Sequence, residues 1–211
     1  MLDGFLDIAM TPSVKAAQQA NGSGDYWDNF KGRHRFDRFT DAEKQFIAAR
    51  DSFYMATVSE TGWPYVQHRG GPAGFLRVLD DKTLAFPDFR GNRQYITVGN
   101  AAVSDRAALF LMDYPNRRRL KIYAHIEIRD LGNDPALAAA LAMPDYKAKV
   151  ERAIVLHLEG FNWNCSQHIT QRFSEAELHE ALEPVRLRRR ELEFENKKLR
   201  ELVSAKADVR T

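Results

Sequence analysis

The chain has 211 residues, 44% of them hydrophobic, with 13 Phe, 7 Tyr and 3 Trp, which suits one folded core with terminal extensions and excludes disorder throughout. Its 31 basic and 29 acidic residues leave a formal charge of only +2, a balance that does not call for a nucleic-acid partner. A lone cysteine, Cys165, excludes an intramolecular disulfide, and neither a signal-peptide pattern in MLDGFLDIAM nor an apolar run of roughly 20 residues is present, so a cytoplasmic protein without membrane contact is expected.

Residues 1–35 read as a helical and irregular extension, with a short helix in PSVKAAQQ starting near Pro12 and a flexible NGSGD after it. A main domain is expected over 36–173. It opens on TDAEKQFIAAR, where Thr40 and Glu43 have capping-box spacing and Phe39 is placed as a staple. Strand-like runs follow: SFYMATVS (52–59), PYVQHR, FLRVLD (75–80), TLAFPDF (83–89), DRAALFLMDY (105–114), RRLKIYAHIEIRD (118–130) and KVERAIVLHLE (149–159). A short helix is expected after Leu131, and GNRQYITVGN reads as either a helix or an irregular crossing. About six strands joined by short turns predict an antiparallel barrel rather than alternating βαβ units.

The tail, 174–211, is highly charged. Ser174 and Glu177 repeat the capping-box spacing, and Pro184 is expected to kink or restart the helix. From Val185 the positions 185, 189, 192, 196, 199 and 203 carry Val, Arg, Leu, Asn, Leu and Val, a heptad seam. That seam suits an amphipathic helix laid on its own domain or a contact between two chains. The triple-arginine runs at 117–119 and 188–190 lack the interleaved aromatics of a single-strand nucleic-acid binder and read as solvated surface.

Three polar stretches are candidate pocket walls. In YVQHRGGPAGFL, alternation puts Gln67 and Arg69 on one face of a strand and His68 on the other, and the glycines behind them permit close backbone approach. Arginine grips phosphate through paired hydrogen bonds, and glutamine both donates and accepts, as a planar heterocycle requires. In FRGNRQY, Asn92, Arg93 and Gln94 stand where a strand gives way to a helix, and new helix starts favour anions. In GFNWNCSQHITQRF, Trp163, Asn164 and Gln167 offer a flat surface and hydrogen bonds. Dinucleotide and P-loop fingerprints are absent. Cys165 and His168 have metal-like spacing, but too few ligand types accompany them for a zinc site.

The string DSFYMATVSETGWPYVQHRGGPAGFLRVLDDKTLAFPDFRGNRQYITVGN, with RRLKI behind it, resembles the flavin-binding split-barrel family related to pyridoxamine 5'-phosphate oxidase. WNCSQHITQRF and PSVKAAQQANGS resemble flanking elements of its oxidase-like branch. The resemblance implies a mainly β fold: a six-stranded antiparallel FMN-binding split barrel with peripheral helices and a C-terminal amphipathic helix. It also implies a homodimer with FMN at the interface. Gln67, His68 and Arg69 would line the ribityl and phosphate region, with Asn92, Arg93 and Gln94 completing it. Trp163, Asn164 and Gln167 would reach the ring, from the other chain if need be. The implied activity is FMN-dependent oxidoreduction of a small molecule, with a nicotinamide as one candidate donor and oxygen as one candidate acceptor. The alternative is a non-catalytic flavin- or haem-binding dimer. The charged heptad tail departs from the true vitamin-B6 oxidase, whose C-terminal segment serves the pyridoxine phosphate substrate.

Overall fold

Seven strands form one antiparallel sheet in the computed structural model, which describes residues 4–30, 36–163 and 166–208. They are β1 (Ser52–Val58), β2 (Pro64–Gly70), β3 (Arg77–Val78), β4 (Thr83–Phe89), β5 (Arg106–Asp113), β6 (Arg118–Arg129) and β7 (Val150–Trp163), in the order β2-β1-β5-β6-β7-β4-β3. Among the described residues seven α-helices accompany them: α1 (Phe5–Ala9), α2 (Pro12–Ala20), α3 (Gly24–Asp28), α4 (Asp41–Ala48), α5 (Ile96–Val103), α6 (Pro135–Ala140) and α7 (Glu175–Asp208). The chain divides into two compact units, Met1–Ile169 and Thr170–Thr211.

The expected six-stranded split barrel is corrected. The described residues form seven strands, and the sheet is not closed: β2 and β3 are its two edges and do not pair with each other. The reason lies in FLRVLD. Phe75 and Leu76 are each 1% exposed and belong to the core, while the Leu79 N–H bonds Thr83 O to tighten the turn into β4. Only Arg77 and Val78 remain for the ladder, too short a strand to complete a cylinder.

Strand periodicity decides which face is buried. In β1, β5 and β6 alternate residues (Phe53 and Met55; Leu109 and Leu111; Leu120 and Ile122) are buried in one core, as period-two patterning requires. β4 and the middle of β7 are buried on both faces instead. Their second face is covered by α6, whose Leu137 packs with Leu141 against Ala85, Ala153 and Val155. A one-residue register shift interrupts the β6–β7 ladder beside Tyr123 and Ala124.

α1 lies against β7 and β6. Phe5 stacks on Tyr123 with ring centroids 4.4 Å apart, and Gly160 admits it by lacking a side chain. A Cβ at Gly160 would sit 2.5 Å from the Phe5 backbone nitrogen, closer than atoms can approach. Gly160→Ala is therefore expected to push α1 off the sheet and to cost about 1–3 kcal/mol. Urea unfolding together with faster proteolysis at the N-terminal segment would show it.

The second unit is helical. The Ser174 N–H donates to Glu177 Oε2 at 2.7 Å, and the Glu177 N–H returns a bond to Ser174 Oγ at 3.2 Å, so the capping box opens α7. The helix does not restart at Pro184 but runs through it.

Candidate functional site

The end of β2, the end of β4 and the start of α5 enclose a cavity of about 190 Å³. Strand alternation turns Tyr65, Gln67 and Arg69 inward, as their partial burial shows, while Val66 and His68 are exposed on the opposite face. Asn92, Arg93 and Gln94 complete the rim. Five of the candidate residues thus meet, although β2 and the 92–94 turn are separated in sequence by more than twenty residues.

The rim is backbone-shaped. The Gln94 N–H donates to Asn92 Oδ1 at 3.1 Å, and the Asn92 amide returns a bond to Gln94 Oε1 at 3.2 Å. Arg93 and Tyr95 hold φ of 64° and 53°, left-handed values uncommon for residues with a Cβ. Such strain persists only where the surroundings impose it. Tyr95 is the N-cap of α5 and gives it no side-chain cap. The first-turn residues Ile96, Thr97 and Val98 line the cavity, where N–H groups without helical partners and the positive end of the helix dipole favour an anion. α5 itself is anchored to the sheet. Thr97 Oγ1 donates to Gln67 Oε1 at 3.0 Å, and buried Asn100 donates to Thr57 Oγ1 at 2.9 Å. Asn100 therefore neither ends the helix nor faces the cavity rim; Ser104 is the C-cap.

Charge behind the rim is arranged around two carboxylates. Arg69 Nη1 donates to Asp88 Oδ1 at 2.8 Å, and Arg152 Nε stands 3.4 Å from Asp88 Oδ2. Arg90 Nε donates to Glu151 Oε1 at 2.6 Å, with the Tyr95 hydroxyl donating to the same oxygen at 3.3 Å. The Arg90 hydrogen bond holds the Glu151 carboxyl below its ordinary value against a lesser effect of burial, and Tyr95 and Arg152 reinforce it. Arg93 has no ion-pair partner among the described residues. Arg69 Nε and Arg152 Nε are buried without a hydrogen-bond acceptor. Arg69, Arg93, Asp88 and Glu151 line the cavity, with Arg90 and Arg152 bonded to the carboxylates from outside the lining, and the unmet Arg69 Nε beside the start of α5 suits an anion.

The remaining candidates lie elsewhere. His68 meets Tyr54 edge-on at 5.5 Å on the other face of the sheet. Trp163 ends β7, twelve residues beyond Glu151, about 40 Å along an extended strand. There its Nε1 donates to Glu43 Oε1 at 2.7 Å, and its ring packs on Phe46 and under Arg118. Gln167 is exposed and does not line the cavity. Asn164 and Cys165 lie outside the described residues. The sequence reading missed Asp88, Tyr95, Thr97, Glu151 and Arg152. Asp88 and Arg152 are cross-strand partners in the β4–β7 register, so their pairing becomes visible only when that register is known.

Glu43 is a structural group, buried at the start of α4. Burial raises its carboxyl, but hydrogen bonds from Thr40 and Trp163 outweigh that and hold it below its ordinary value. Such a group contributes stability above the unfolded carboxylate value, about pH 4.3, and the contribution is lost as pH falls through the lower folded value. Glu43→Gln is expected to lower urea midpoints near neutral pH and to converge with the wild type in strong acid.

Other candidate centres are weaker. His125 lies between Asp105 (2.9 Å) and Glu159 (3.5 Å), and His157 bonds Glu127 at 2.9 Å, on exposed strand surfaces. No group of three metal-ligating side chains occurs among the described residues, and none of their helices is long and apolar enough to cross a membrane.

Residues 39–160 match the pyridoxamine 5'-phosphate oxidase family. No curated protein matches the chain. Among solved structures, Group A Streptococcus HupZ is 16% identical with a TM-score of 0.46, covering 64% of this chain and 99% of its own. A Clostridium acetobutylicum protein related to general stress protein 26, of the pyridoxinephosphate oxidase family, is 16% identical with a TM-score of 0.42, covering 64% and 94%. A FAD-binding protein from Mesorhizobium loti is 12% identical with a TM-score of 0.42, covering 60% and 94%.

Proposed function

The chain belongs to the pyridoxamine 5'-phosphate oxidase family, and on that footing we propose that it is an FMN-dependent oxidoreductase acting on a small molecule. The family supports flavin-dependent redox chemistry in general; the choice of FMN rests on the cavity. The observation that carries it is the meeting of Arg69, Arg93 and the uncapped first turn of α5 around one polar cavity, with the Arg69 Nε left as an unmet donor. A terminal phosphate is the flavin group that this donor set suits. Arg69 and Arg93 would hold the phosphate, and Gln67, Asn92 and Gln94 the polyol chain.

The cavity's 190 Å³ is below the usual 300–1,000 Å³ of a site that encloses a drug-sized ligand. It suits a phosphate and part of a polyol, leaving the ring to find another wall. A second copy of the chain is the proposed source of that wall. Exposed Tyr54, Val58 and Val66 form an apolar patch on the opposite sheet face, which suits a contact with a second copy but does not border the cavity. His68 lies on that same face, and Trp163, Asn164 and Gln167 are kept as candidates for ring contacts across the interface.

Bound FMN supplies the electron transfer, while the protein's part is placement and electrostatics. A reduced donor, with a nicotinamide as one candidate, would give up a hydride, and oxygen or another acceptor would take the electrons. Pyridoxamine phosphate oxidation is not proposed, because the C-terminal segment is a heptad helix. The test is the visible spectrum of freshly purified protein and the mass of the released cofactor. FMN is expected. A Soret band, or no flavin and no uptake of added FMN, would overturn the proposal. Bound FMN that no reduced donor can reduce would make the protein a flavin carrier.

A further inference from the structure

α7 is 34 residues long, about 51 Å at 1.5 Å per residue, and its apolar side chains are open to solvent. Leu178, Leu182, Val185, Leu192 and Leu199 are 42–64% exposed. They recur at steps of four and three, with Arg189 and Asn196 in the same series, so the seam starts two positions before Val185. Because the helix runs unbroken through Pro184, these positions share one stripe. With Leu192 and Leu199 at d, Leu182, Arg189 and Asn196 fall at a.

We propose that α7 pairs with α7 of a second copy as a parallel, in-register, two-stranded coiled coil. The flanking charges fit that occupant. Arg188 and Glu195 occupy g; Arg186, Glu193 and Arg200 occupy e. In a parallel pair each g faces the e of the next heptad on the other helix. Arg188 then meets Glu193 of the second helix and Glu195 meets Arg200, and symmetry repeats both contacts. The in-chain bonds these would replace, such as Arg188 to Glu191 at 2.9 Å, join side chains each 62% exposed and are weak. Asn196 sets the orientation. In register its amide meets the same amide, whereas an antiparallel pair would set it against an aliphatic side chain. A single a-position asparagine fixes register and strand number in this way. Arg189 already reaches Glu193 at 3.3 Å on its own helix, which draws its charge to the rim of the seam. Leu187 and Phe194 are on the opposite face and take no part.

The coiled coil does not depend on flavin binding. In the full chain with Cys165→Ser, single cysteines are placed at Leu192→Cys, Leu199→Cys and Leu187→Cys and equilibrated in a glutathione redox buffer. Disulfide-linked dimer is expected at both d positions and at least tenfold less at Leu187→Cys. Leu199→Cys guards against damage from the more central substitution. Equal linkage at Leu187→Cys, or none at either d position, would overturn the proposal. So would linkage of Leu192→Cys only to an Arg189→Cys chain, the antiparallel result. FMN uptake measured on the same variants is expected to be unchanged, so failure here is separable from failure of the flavin assignment.

Discussion

Replacing Asp88 by alanine is expected to destabilise the protein by about 3–5 kcal/mol, the range seen when one member of a buried ion pair is removed. Asp88 is 6% exposed, and the Arg69 side chain beside it is only 12% exposed, so solvent screens their interaction little. Arg152, on the neighbouring strand, shares the same carboxylate. Without it, Arg69 keeps no carboxylate and Arg152 keeps only Glu151 at 3.3 Å. Two guanidiniums whose Nε atoms already lack acceptors would then repel each other beneath the cavity. Asp88→Asn retains the shape and one acceptor oxygen, so its loss should be smaller. Urea denaturation of the three proteins at neutral pH measures the series. An alanine variant within about 0.5 kcal/mol of the wild type, the size of an ordinary surface effect, would show that Asp88 does not organise this cluster.

Arg69→Ala carries the second large effect, on binding. Hydrogen bonds to a charged group contribute about 1.5–3 kcal/mol, so losing the guanidinium from a phosphate should weaken FMN about 10- to 100-fold. Arg93→Ala should weaken it less, because Arg93 is exposed and its charge is better screened. The double variant separates the two positions from a general loss of fold, provided its far-ultraviolet spectrum is unchanged. Fluorescence quenching of FMN on titration reads the affinities.

Much of the sheet was legible because its inner faces follow period two. The runs from Ser52, Arg106 and Arg118 alternate cleanly, and their strands form where the pattern places them. Closure into a barrel was not legible. It depended on FLRVLD supplying a full strand, and core burial of Phe75 and Leu76 takes that segment out of the ladder. Continuous burial in β4 arises from α6, a helix whose docking site no local pattern shows.

At the site, alternation correctly paired Gln67 with Arg69 and set His68 apart. For GNRQYITVGN the pattern left a helix and an irregular crossing both open, and α5 starts there at Ile96. Asp88 was not legible, since Arg152, 64 positions away, meets it through the β4–β7 register, and Arg69, 19 positions away, reaches it from β2, a strand that does not pair with β4. Trp163 is the converse case. Its residue type suits a flavin ring, but within one chain it ends a long strand far from the cavity, bonded to Glu43.

If the cavity at the start of α5 takes the phosphate of FMN, that phosphate must supply much of the affinity. Calorimetric titration of cofactor-free protein with FMN and with riboflavin, which differ by that phosphate alone, tests it most directly. Saturable FMN binding is expected, with riboflavin at least tenfold weaker and most of that gap erased by Arg69→Ala. Equal affinity for the two flavins, or no binding of either, would contradict it.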